Sequence, residues 1–227
     1  MTADLVRLEP APGLVDRVYR ALLEAIDDGS LAPGERLGQE DIAARLAVSR
    51  QPVLQALRLL KRDGLALDAP GRGLRVAPLD PARIAQLYEV RTALDALAAR
   101  LAAARRAVID RGLVEAGRRA ARGSDIRAMV DADTAFHNAV YAASGNPLIA
   151  ASAHLHWVHL RRVMAAVLRQ ERQRDAIWDE HEAIAAAIAA GDAERATRLI
   201  DDHGRQASAN LLARLPHLLA PAWKGQP

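Results

Sequence analysis

Apolar residues recur every three or four positions along most of this chain, and that spacing predicts a protein built mainly of α-helices. The first helical pattern covers residues 14–28, and two shorter ones, joined by a turn at residues 46–48, lie within residues 41–62. Two short apolar runs at residues 65–67 and 74–76 flank a segment containing proline and glycine, which predicts a β-hairpin. The chain is therefore expected to begin with a helix-turn-helix followed by a small hairpin wing.

The pattern changes after a short linker bracketed by Pro78 and Pro81. Beyond the linker alanine, leucine and arginine dominate, and no alternation typical of strands occurs. Helical patterns cover residues 82–106, 109–121, 125–143, 147–171, 174–190 and 193–214. The predicted fold class is mainly α, with a winged helix-turn-helix followed by an all-α bundle of about six helices. The predicted boundaries are a winged-helix domain at 1–78, a helical domain at 79–217 and a loose tail at 218–227.

The second helix of the predicted helix-turn-helix begins with polar residues and ends with leucines. Ser49 is its candidate N-cap, and Pro52 falls in the first turn, where a missing N–H costs little. The leucines can hold this helix to its own domain while its start donates to phosphates or base edges of DNA. The predicted donors are Ser49, Arg50, Gln51 and Gln55. The hairpin tip, formed by Gly71, Arg72 and Gly73, is predicted to reach an adjacent groove or the DNA backbone.

The distribution of charge along the chain favours double-stranded DNA as a partner. The whole chain has a formal net charge of only +3, but seven basic residues and two acids lie between residues 45 and 75. A basic cluster alone is a solvated charged surface about as often as it is a DNA-binding surface. The helix-turn-helix pattern makes DNA binding the favoured interpretation. The sequence has no cysteine, no signal peptide and no membrane-spanning run, so a soluble, cytoplasmic protein is expected.

In the helical half, the apolar stripes of three helices carry Asp133, His137, His181 and His203. Burying each of these side chains separately would be costly, and convergence on one divalent metal ion removes that cost. Their oxygen and nitrogen atoms suit Zn²⁺, Ni²⁺, Mn²⁺ or Fe²⁺ without choosing among them. Taken singly, each histidine is more often a satisfied core residue than a ligand. The remaining histidines, interpreted as surface or packing residues, are His154, His156, His159 and His217.

The apolar stripe of the first bundle helix also contains Arg91. One interpretation pairs Arg91 on the surface with Asp95, four residues further along the helix. The other turns Arg91 toward the interior, where its guanidinium holds an anionic ligand by two parallel hydrogen bonds. A metal ion with open coordination positions and an arginine would together form a receptor for a small carboxylate effector.

Four segments of the first domain match a known pattern together: GSLAPGERL at 29–37, VSRQPVLQAL at 48–57, DGL at 63–65 and PGRGLRV at 70–76. They resemble the winged-helix domain of the GntR family of bacterial transcription regulators. The resemblance implies that Arg50 contacts DNA and that Gly71 and Gly73 approach it closely, with Arg72 between them. The family commonly has arginine where this chain has Leu54, so one expected contact is absent. Gln55 or Arg58 is the candidate to replace it.

Four further segments lie in the helical half: YEVRTALDALAARLAA at 88–103, DADTAFHNAVYAASGNP at 131–147, DEHEAIAAAIAAGD at 179–192 and DDH at 201–203. They resemble the ligand-sensing FCD domain of the FadR subfamily within the GntR family. The resemblance implies that the metal ligands are Asp133, His137, His181 and His203, and that Arg91 is the family arginine. Asp95 departs from the usual glutamate. The resemblance also implies a homodimer on a palindromic operator, with repression relieved by the effector.

Other function classes are weighed against this one. The metal of a DNA-binding regulator could be purely structural, with no effector. A metal-dependent hydrolase is conceivable, but Glu182 points about 100° away from His181 around the helix and no HExxH pair occurs. A metal-free acyl-CoA sensor, as in some relatives, leaves the four polar residues on the stripes unexplained. The sequence therefore favours a DNA-binding regulator that is not an enzyme.

Overall fold

The computed structural model of this protein describes residues 13–168 and 176–218, with side chains as far as residue 215. The chain divides into two compact units, Met1–Pro78 and Leu79–Pro227. The division falls between the two prolines that bracket the predicted linker.

The described part of the first unit contains a helix-turn-helix and a small sheet. Its elements are α1 (Leu14–Asp27), β1 (Arg36–Leu37), α2 (Gln39–Arg45), α3 (Arg50–Arg62), β2 (Ala66–Asp68) and β3 (Leu74–Val76). The predicted apolar face of α1, with Leu14, Val15, Val18, Leu22 and Ile26, is confirmed at the last three, which are buried, while Leu14 is exposed. Helix α1 packs against α3, whose apolar side chains are also buried.

The sheet has the strand order β1-β3-β2, and both pairings are antiparallel. Strands β2 and β3 form the predicted hairpin, with Leu67 opposite Arg75. The sequence does not predict β1, because two residues following a proline-glycine turn are too few to show strand alternation. Strand β1 places Arg36 opposite Arg75, on the other side of β3 from β2.

The predicted turn between α2 and α3 is confirmed. Ala47 adopts the left-handed region with φ 51°, and the amide of Val48 donates to the carbonyl of Ala43 at 3.0 Å. This tight turn allows α3 to begin at Arg50, with Ser49 at the N-cap position. Ser49 therefore occupies the predicted N-cap position, but its side chain makes no capping hydrogen bond.

The described part of the second unit is entirely helical. Its helices are α4 (Pro81–Ala104), α5 (Arg111–Arg122), α6 (Ile126–Ser144), α7 (Pro147–Leu168), α8 (Ala176–Ala190) and α9 (Ala193–Leu218). Helix α4 is central because it packs against α6, α7, α8 and α9. Helices α4, α5 and α6 begin at aspartate N-caps whose side chains accept a backbone N–H, namely Asp80, Asp110 and Asp125.

The six predicted bundle helices are confirmed, with differences at their ends. Helix α9 continues to Leu218, beyond the predicted end at residue 214, so the predicted tail is helical at its first residue. The rest of that tail, residues 219–227, lies outside the described residues, as do residues 169–175 between α7 and α8. No described helix is both long and apolar enough to cross a membrane.

Two adjacent arginines after α4 donate hydrogen bonds to backbone carbonyls at the C-terminal ends of α6 and α8. Arg105 Nη1 donates to the carbonyl of Ser144, and Arg106 Nη1 donates to the carbonyl of Ala190 at 2.9 Å. Gly145 follows the first carbonyl with φ 67°, and a Cβ there would lie 2.7 Å from the Arg105 guanidinium. The loop after α4 thus fixes the C-terminal ends of two helices that carry candidate ligands.

Candidate metal centre and DNA-binding surface

The start of α3 exposes polar side chains, while the apolar side chains of the same helix are buried. The buried residues are Pro52, Val53, Ala56, Leu57 and Leu60. The exposed residues are Ser49, Arg50, Gln51, Gln55 and Arg58. The structure therefore places every DNA-contact candidate of this helix on the outside of the first unit.

Arg50 forms an ion pair at this surface. Its Nη1 lies 2.9 Å from Oε1 of Glu40 on α2, and the two side chains are 69% and 75% exposed. An ion pair this exposed contributes little to stability. Arg50 can therefore exchange Glu40 for a phosphate or a base edge without a large loss of folding free energy.

The tip of the wing is exposed at Gly71, Arg72 and Gly73. Gly71 and Gly73 have φ 87° and 95°, and a Cβ at Gly71 would meet no atom within 4 Å. The backbone conformation of Gly71, and not a lack of space, thus favours glycine there. Arg36 Nη2 donates to the carbonyl of Arg72 and so supports the tip. The sequence does not identify Arg36 as a wing contact, because strand β1, which places it beside the wing, is not predicted.

Four candidate ligands from three helices converge in the second unit. Asp133 and His137 lie on α6, His181 on α8 and His203 on α9, and all four are buried. One ligand atom from each side chain lies within 4.8 Å of the others. Atoms bound to one ion at about 2.1 Å are at most about 4.2 Å apart, so the four atoms lie at nearly the spacing of a metal site.

His181 shows that this donor set fits a metal ion. Both of its ring nitrogens are buried without a hydrogen-bond partner among the described residues, and Nε2 lies 3.5 Å from Oδ1 of Asp133. The ring packs against Phe136 and Trp178, at 4.3 and 4.6 Å between ring centroids. Burial, with the neighbouring His203, lowers the pKa of His181 well below its usual value. The imidazole is therefore neutral, which is the form that binds metals.

His203 is oriented by a carboxylate that sequence reasoning misses. Oε2 of Glu180 lies 2.7 Å from Nδ1 of His203, which assigns the proton to Nδ1 and leaves Nε2 for an ion. Glu180 precedes His181 on α8, so only the packing of α8 against α9 connects it to His203. Glu182 is exposed and accepts from Arg118 at 2.8 Å, so it points away from the centre as predicted.

Arg91 and Asp95 form a buried pair, so the surface interpretation of this pair is wrong. Their side chains are 2% and 0% exposed, and Arg91 Nε lies 3.2 Å from Oδ2 of Asp95. The buried stripe of α4 runs through Tyr88, Arg91, Thr92 and Asp95. Buried residues lie around much of α4, because this helix contacts other helices on several sides.

Asp95 links Arg91 to the candidate centre. Its Oδ2 lies 3.4 Å from Nδ1 of His137, and its Oδ1 accepts from the hydroxyl of Tyr141. Burial acts to raise the pKa of Asp95, but His137 and Arg91 outweigh burial and lower it to about 2. Trp157 Nε1 donates to the Tyr141 hydroxyl at 3.2 Å, and the Trp157 ring lies 4.1 Å from Cζ of Arg91. The Arg91 guanidinium thus contacts both the Asp95 carboxylate and the Trp157 ring.

Arg91 also contacts a candidate ligand directly. Its Nη2 lies 2.7 Å from Nε2 of His137. Because Nδ1 of His137 faces Asp95, the tautomer with its proton on Nδ1 lets Nε2 accept from Arg91. Burial and the charge of Arg91 lower the pKa of His137, which keeps the imidazole neutral.

The three described histidines outside this centre are exposed or half-buried. His154 is exposed, and His156 and His159 are half-buried. None of them belongs to the ligand cluster found among the described residues. The side chain of His217 lies outside the described side chains.

Both units match known families. Residues 14–76 match the bacterial regulatory proteins of the gntR family, and residues 86–206 match the FCD domain. An uncharacterised HTH-type transcriptional regulator from an unstable DNA locus of Streptomyces ambofaciens is 31% identical over 193 residues, covering 83% of this chain and 80% of that protein. The probable D-xylose utilization operon transcriptional repressor of Paenarthrobacter nicotinovorans is 31% identical, covering 84% of this chain and 85% of that protein.

Solved structures share the fold. E. coli McbR/YncC has a TM-score of 0.76 at 21% sequence identity, covering 89% of this chain and 99% of that chain. A transcriptional regulator GntR from Rhodococcus sp. RHA1 has a TM-score of 0.73 at 28% identity, covering 88% of this chain and 97% of that chain.

A winged helix-turn-helix followed by a helical bundle with a buried ligand cluster defines a class of DNA-binding transcriptional regulators. Within that class, this chain belongs to the GntR family and carries an FCD domain. Members of the family are transcriptional regulators and not enzymes, which excludes the hydrolase interpretation.

Proposed function

We propose that this DNA-binding regulator is a repressor whose affinity for its operator is set by a small carboxylate bound at the metal centre. The observation that carries the proposal is the convergence of four buried ligand residues beside a buried arginine. The sense of regulation is taken from the family and agrees with the name of the Paenarthrobacter relative, a probable repressor.

The operator contacts are assigned to the start of α3 and to the wing. Ser49, Arg50, Gln51, Gln55 and Arg58 supply exposed donors on α3, and Gly71, Arg72 and Gly73 form the wing tip. Arg50 is the principal contact because it begins the helix and its only ion-pair partner among the described residues is the exposed Glu40. Arg58 is exposed and can replace the arginine that the family commonly has at the half-buried Leu54.

The metal ligands are assigned to Asp133, His137, His181 and His203, which suit Zn²⁺, Ni²⁺, Mn²⁺ or Fe²⁺. When bound, the ion supplies a positive centre that attracts an anion. Among the buried groups, counting two positive charges for the ion, one for Arg91 and one negative charge each for Asp133 and Asp95 gives a net charge of about +1. Glu180, which contacts His203, is 38% exposed, so solvent screens its negative charge. A buried centre with this charge favours a carboxylate, and the Arg91 guanidinium supplies donors in the matching geometry.

We infer that the regulator acts as a homodimer, in which two winged helices bind the two halves of a palindromic operator. The effector would change the separation of those helices. Operator and effector then change each other's affinity by the same factor, which for typical couplings of about 1–3 kcal/mol is roughly 5- to 150-fold.

A regulator with a purely structural metal is the second candidate. It is favoured by the deep burial of all four ligands, since structural zinc sites are closed to solvent. A metal-free acyl-CoA sensor is disfavoured, because it leaves the buried His181 nitrogens without a partner.

Operator affinity and thermal stability, measured together, distinguish these candidates. Zinc-loaded protein is screened against small dicarboxylates and sugar acids, and operator binding is followed by fluorescence anisotropy at one fixed salt concentration. The proposal predicts a carboxylate that raises the melting temperature and weakens operator binding by roughly 5- to 150-fold. With a structural metal, chelation lowers the melting temperature while every carboxylate leaves operator affinity unchanged.

Matched histidine variants test whether the effect arises at the centre. His181→Ala is expected to abolish both the zinc-dependent stabilisation and the response to the carboxylate. His154→Ala removes an exposed histidine of the same unit and is expected to change neither.

A further inference from the structure

The Nε2 atom of His137 is the point at which Arg91 meets the candidate metal centre. Arg91 Nη2 lies 2.7 Å from this atom, while Nδ1 of the same ring faces Oδ2 of Asp95 at 3.4 Å. With the proton on Nδ1, Nε2 carries the only lone pair of the ring that can accept a hydrogen bond. A metal ion requires a deprotonated ring nitrogen with a free lone pair. The hydrogen bond from Arg91 and metal coordination by His137 therefore exclude each other.

We propose that Arg91 and the metal ion exchange at Nε2 of His137, so that metal binding releases a guanidinium N–H for the carboxylate effector. This inference rests on the proposed function and adds that the metal ion binds before the carboxylate. While Arg91 donates to His137 the anion site is incomplete, and it becomes complete only when a metal ion takes Nε2 of His137.

The surroundings of Arg91 explain why the released N–H stays in the site. Arg91 Nε is held 3.2 Å from Oδ2 of Asp95, and Cζ lies 4.1 Å from the Trp157 ring. The centroid of the Tyr88 ring, also on α4, lies 5.5 Å from Cζ of Arg91. The guanidinium is only 2% exposed and cannot turn into solvent, so the released donor needs a new acceptor within the site.

A buried donor without an acceptor is unfavourable, and a carboxylate oxygen removes that penalty. The metal ion and the carboxylate are therefore expected to bind with positive cooperativity. We expect this cooperativity to be larger than the direct attraction between the metal ion and the carboxylate would give. The additional part arises because the ion and the carboxylate both change the hydrogen bonding of Arg91.

Zinc affinity without any carboxylate tests the exchange. Zn²⁺ binding is measured by competition with a chromophoric chelator for the native protein, Arg91→Met and Arg100→Met. Arg91→Met cannot donate to His137 and is expected to bind Zn²⁺ about tenfold more tightly, because no hydrogen bond has to break. Arg100→Met removes the same charge from an exposed position on α4 and is expected to match the native protein.

The outcomes separate this inference from the proposed function. Equal zinc affinities for the native protein and Arg91→Met, or weaker binding by a folded Arg91→Met protein, overturn the exchange and leave the metal centre in place. No zinc binding by either protein overturns the metal centre itself, and the proposed function with it.

A measurement on the native protein covers the case in which Arg91→Met does not fold. Arginine labelled with ¹⁵N allows the Arg91 side-chain signals to be followed by NMR, with assignment through their contact with the Trp157 ring. One equivalent of Zn²⁺, with no carboxylate present, is expected to shift the Nη2 signal as its hydrogen bond is lost. Unchanged Arg91 signals after stoichiometric zinc binding would rule out the exchange.

Discussion

Glu180 acts on the candidate metal centre through a single contact, to Nδ1 of His203 at 2.7 Å. Glu180→Ala removes the acceptor that fixes the tautomer and the ring orientation of His203. We expect zinc affinity to fall by roughly 10- to 100-fold, the usual effect of losing such a partner of a metal ligand. Competition with a chromophoric chelator measures the change, and circular dichroism checks that the protein is folded.

Glu182→Ala is the matched control for this change. Glu182 lies two residues further along α8, is exposed, and contacts Arg118 instead of the centre. Its removal is expected to leave zinc affinity at the native value. Equal losses in the two variants would mean that α8 as a whole was disturbed and that His203 does not depend on Glu180.

Arg50 allows the DNA-binding surface to be tested at one side chain. Arg50→Ala is expected to weaken operator binding by about 1–3 kcal/mol if the guanidinium contacts a base edge. If it contacts a phosphate instead, the slope of affinity against salt concentration falls by about one unit. Fluorescence anisotropy over a salt series measures both quantities.

Arg100→Ala is the control for overall charge, because it removes an exposed arginine from the helical unit. It is expected to leave operator affinity unchanged at each salt concentration. Native operator affinity in a folded Arg50→Ala protein would show that the start of α3 does not contact the operator.

At the scale of secondary-structure elements, the close approach of α4 and α9 depends on a glycine. A Cβ at Gly204 would lie 2.4 Å from Oγ1 of Thr92. These two residues follow His203 and Arg91 in the sequence, so the contact of α4 with α9 lies beside the candidate centre. Gly204→Ala is expected to lower the free energy of unfolding by about 1–3 kcal/mol through overpacking, as measured by urea denaturation.

A second substitution tests the steric cause. Thr92→Ala removes the hydroxyl and methyl group that the new Cβ would meet. The double variant Gly204→Ala with Thr92→Ala should therefore recover most of the stability lost in the single variant. If the losses of the two single variants simply add, the effect of Gly204→Ala does not come from contact with Thr92.

The helices of the second unit could be predicted because long apolar stripes are local signals. The structure adds the N-caps Asp80, Asp110 and Asp125, whose side chains accept backbone N–H groups at the helix starts. Strand β1 could not be predicted, since its only strand property is pairing with β3, a segment distant in the sequence. Local pattern therefore predicts the helices and misses an element defined by tertiary pairing.

The candidate ligands could be found because each is a polar residue on an apolar stripe. The residues that orient them carry no such signal. The spacing of Asp95 from Arg91 allows a surface pair, but the packing of α4 buries both residues. Glu180 reaches His203 only across the contact of α8 with α9. Helix packing, which the spacing of apolar residues does not determine, decides both positions.

At the scale of the whole molecule, every candidate ligand lies in the second unit. A metal present at 100 times its dissociation constant stabilises the folded state by about 2.7 kcal/mol, and chelation removes that stabilisation. We expect chelation to increase hydrogen exchange in α6, α8 and α9, which carry the ligands, and to leave residues 14–76 unchanged. Exchange measured on peptides of the full chain, with and without a chelator, distinguishes the two regions.

This pattern bears on how the regulator would respond to its effector. A metal-free protein that keeps native exchange in residues 14–76 still presents Arg50 and the wing to DNA, while its anion site is incomplete. It should therefore bind the operator and fail to release it when the carboxylate is added, which anisotropy on the chelated protein measures. Increased exchange throughout residues 14–76 after chelation would contradict this, since the metal would then support the DNA-binding unit and not only the effector site.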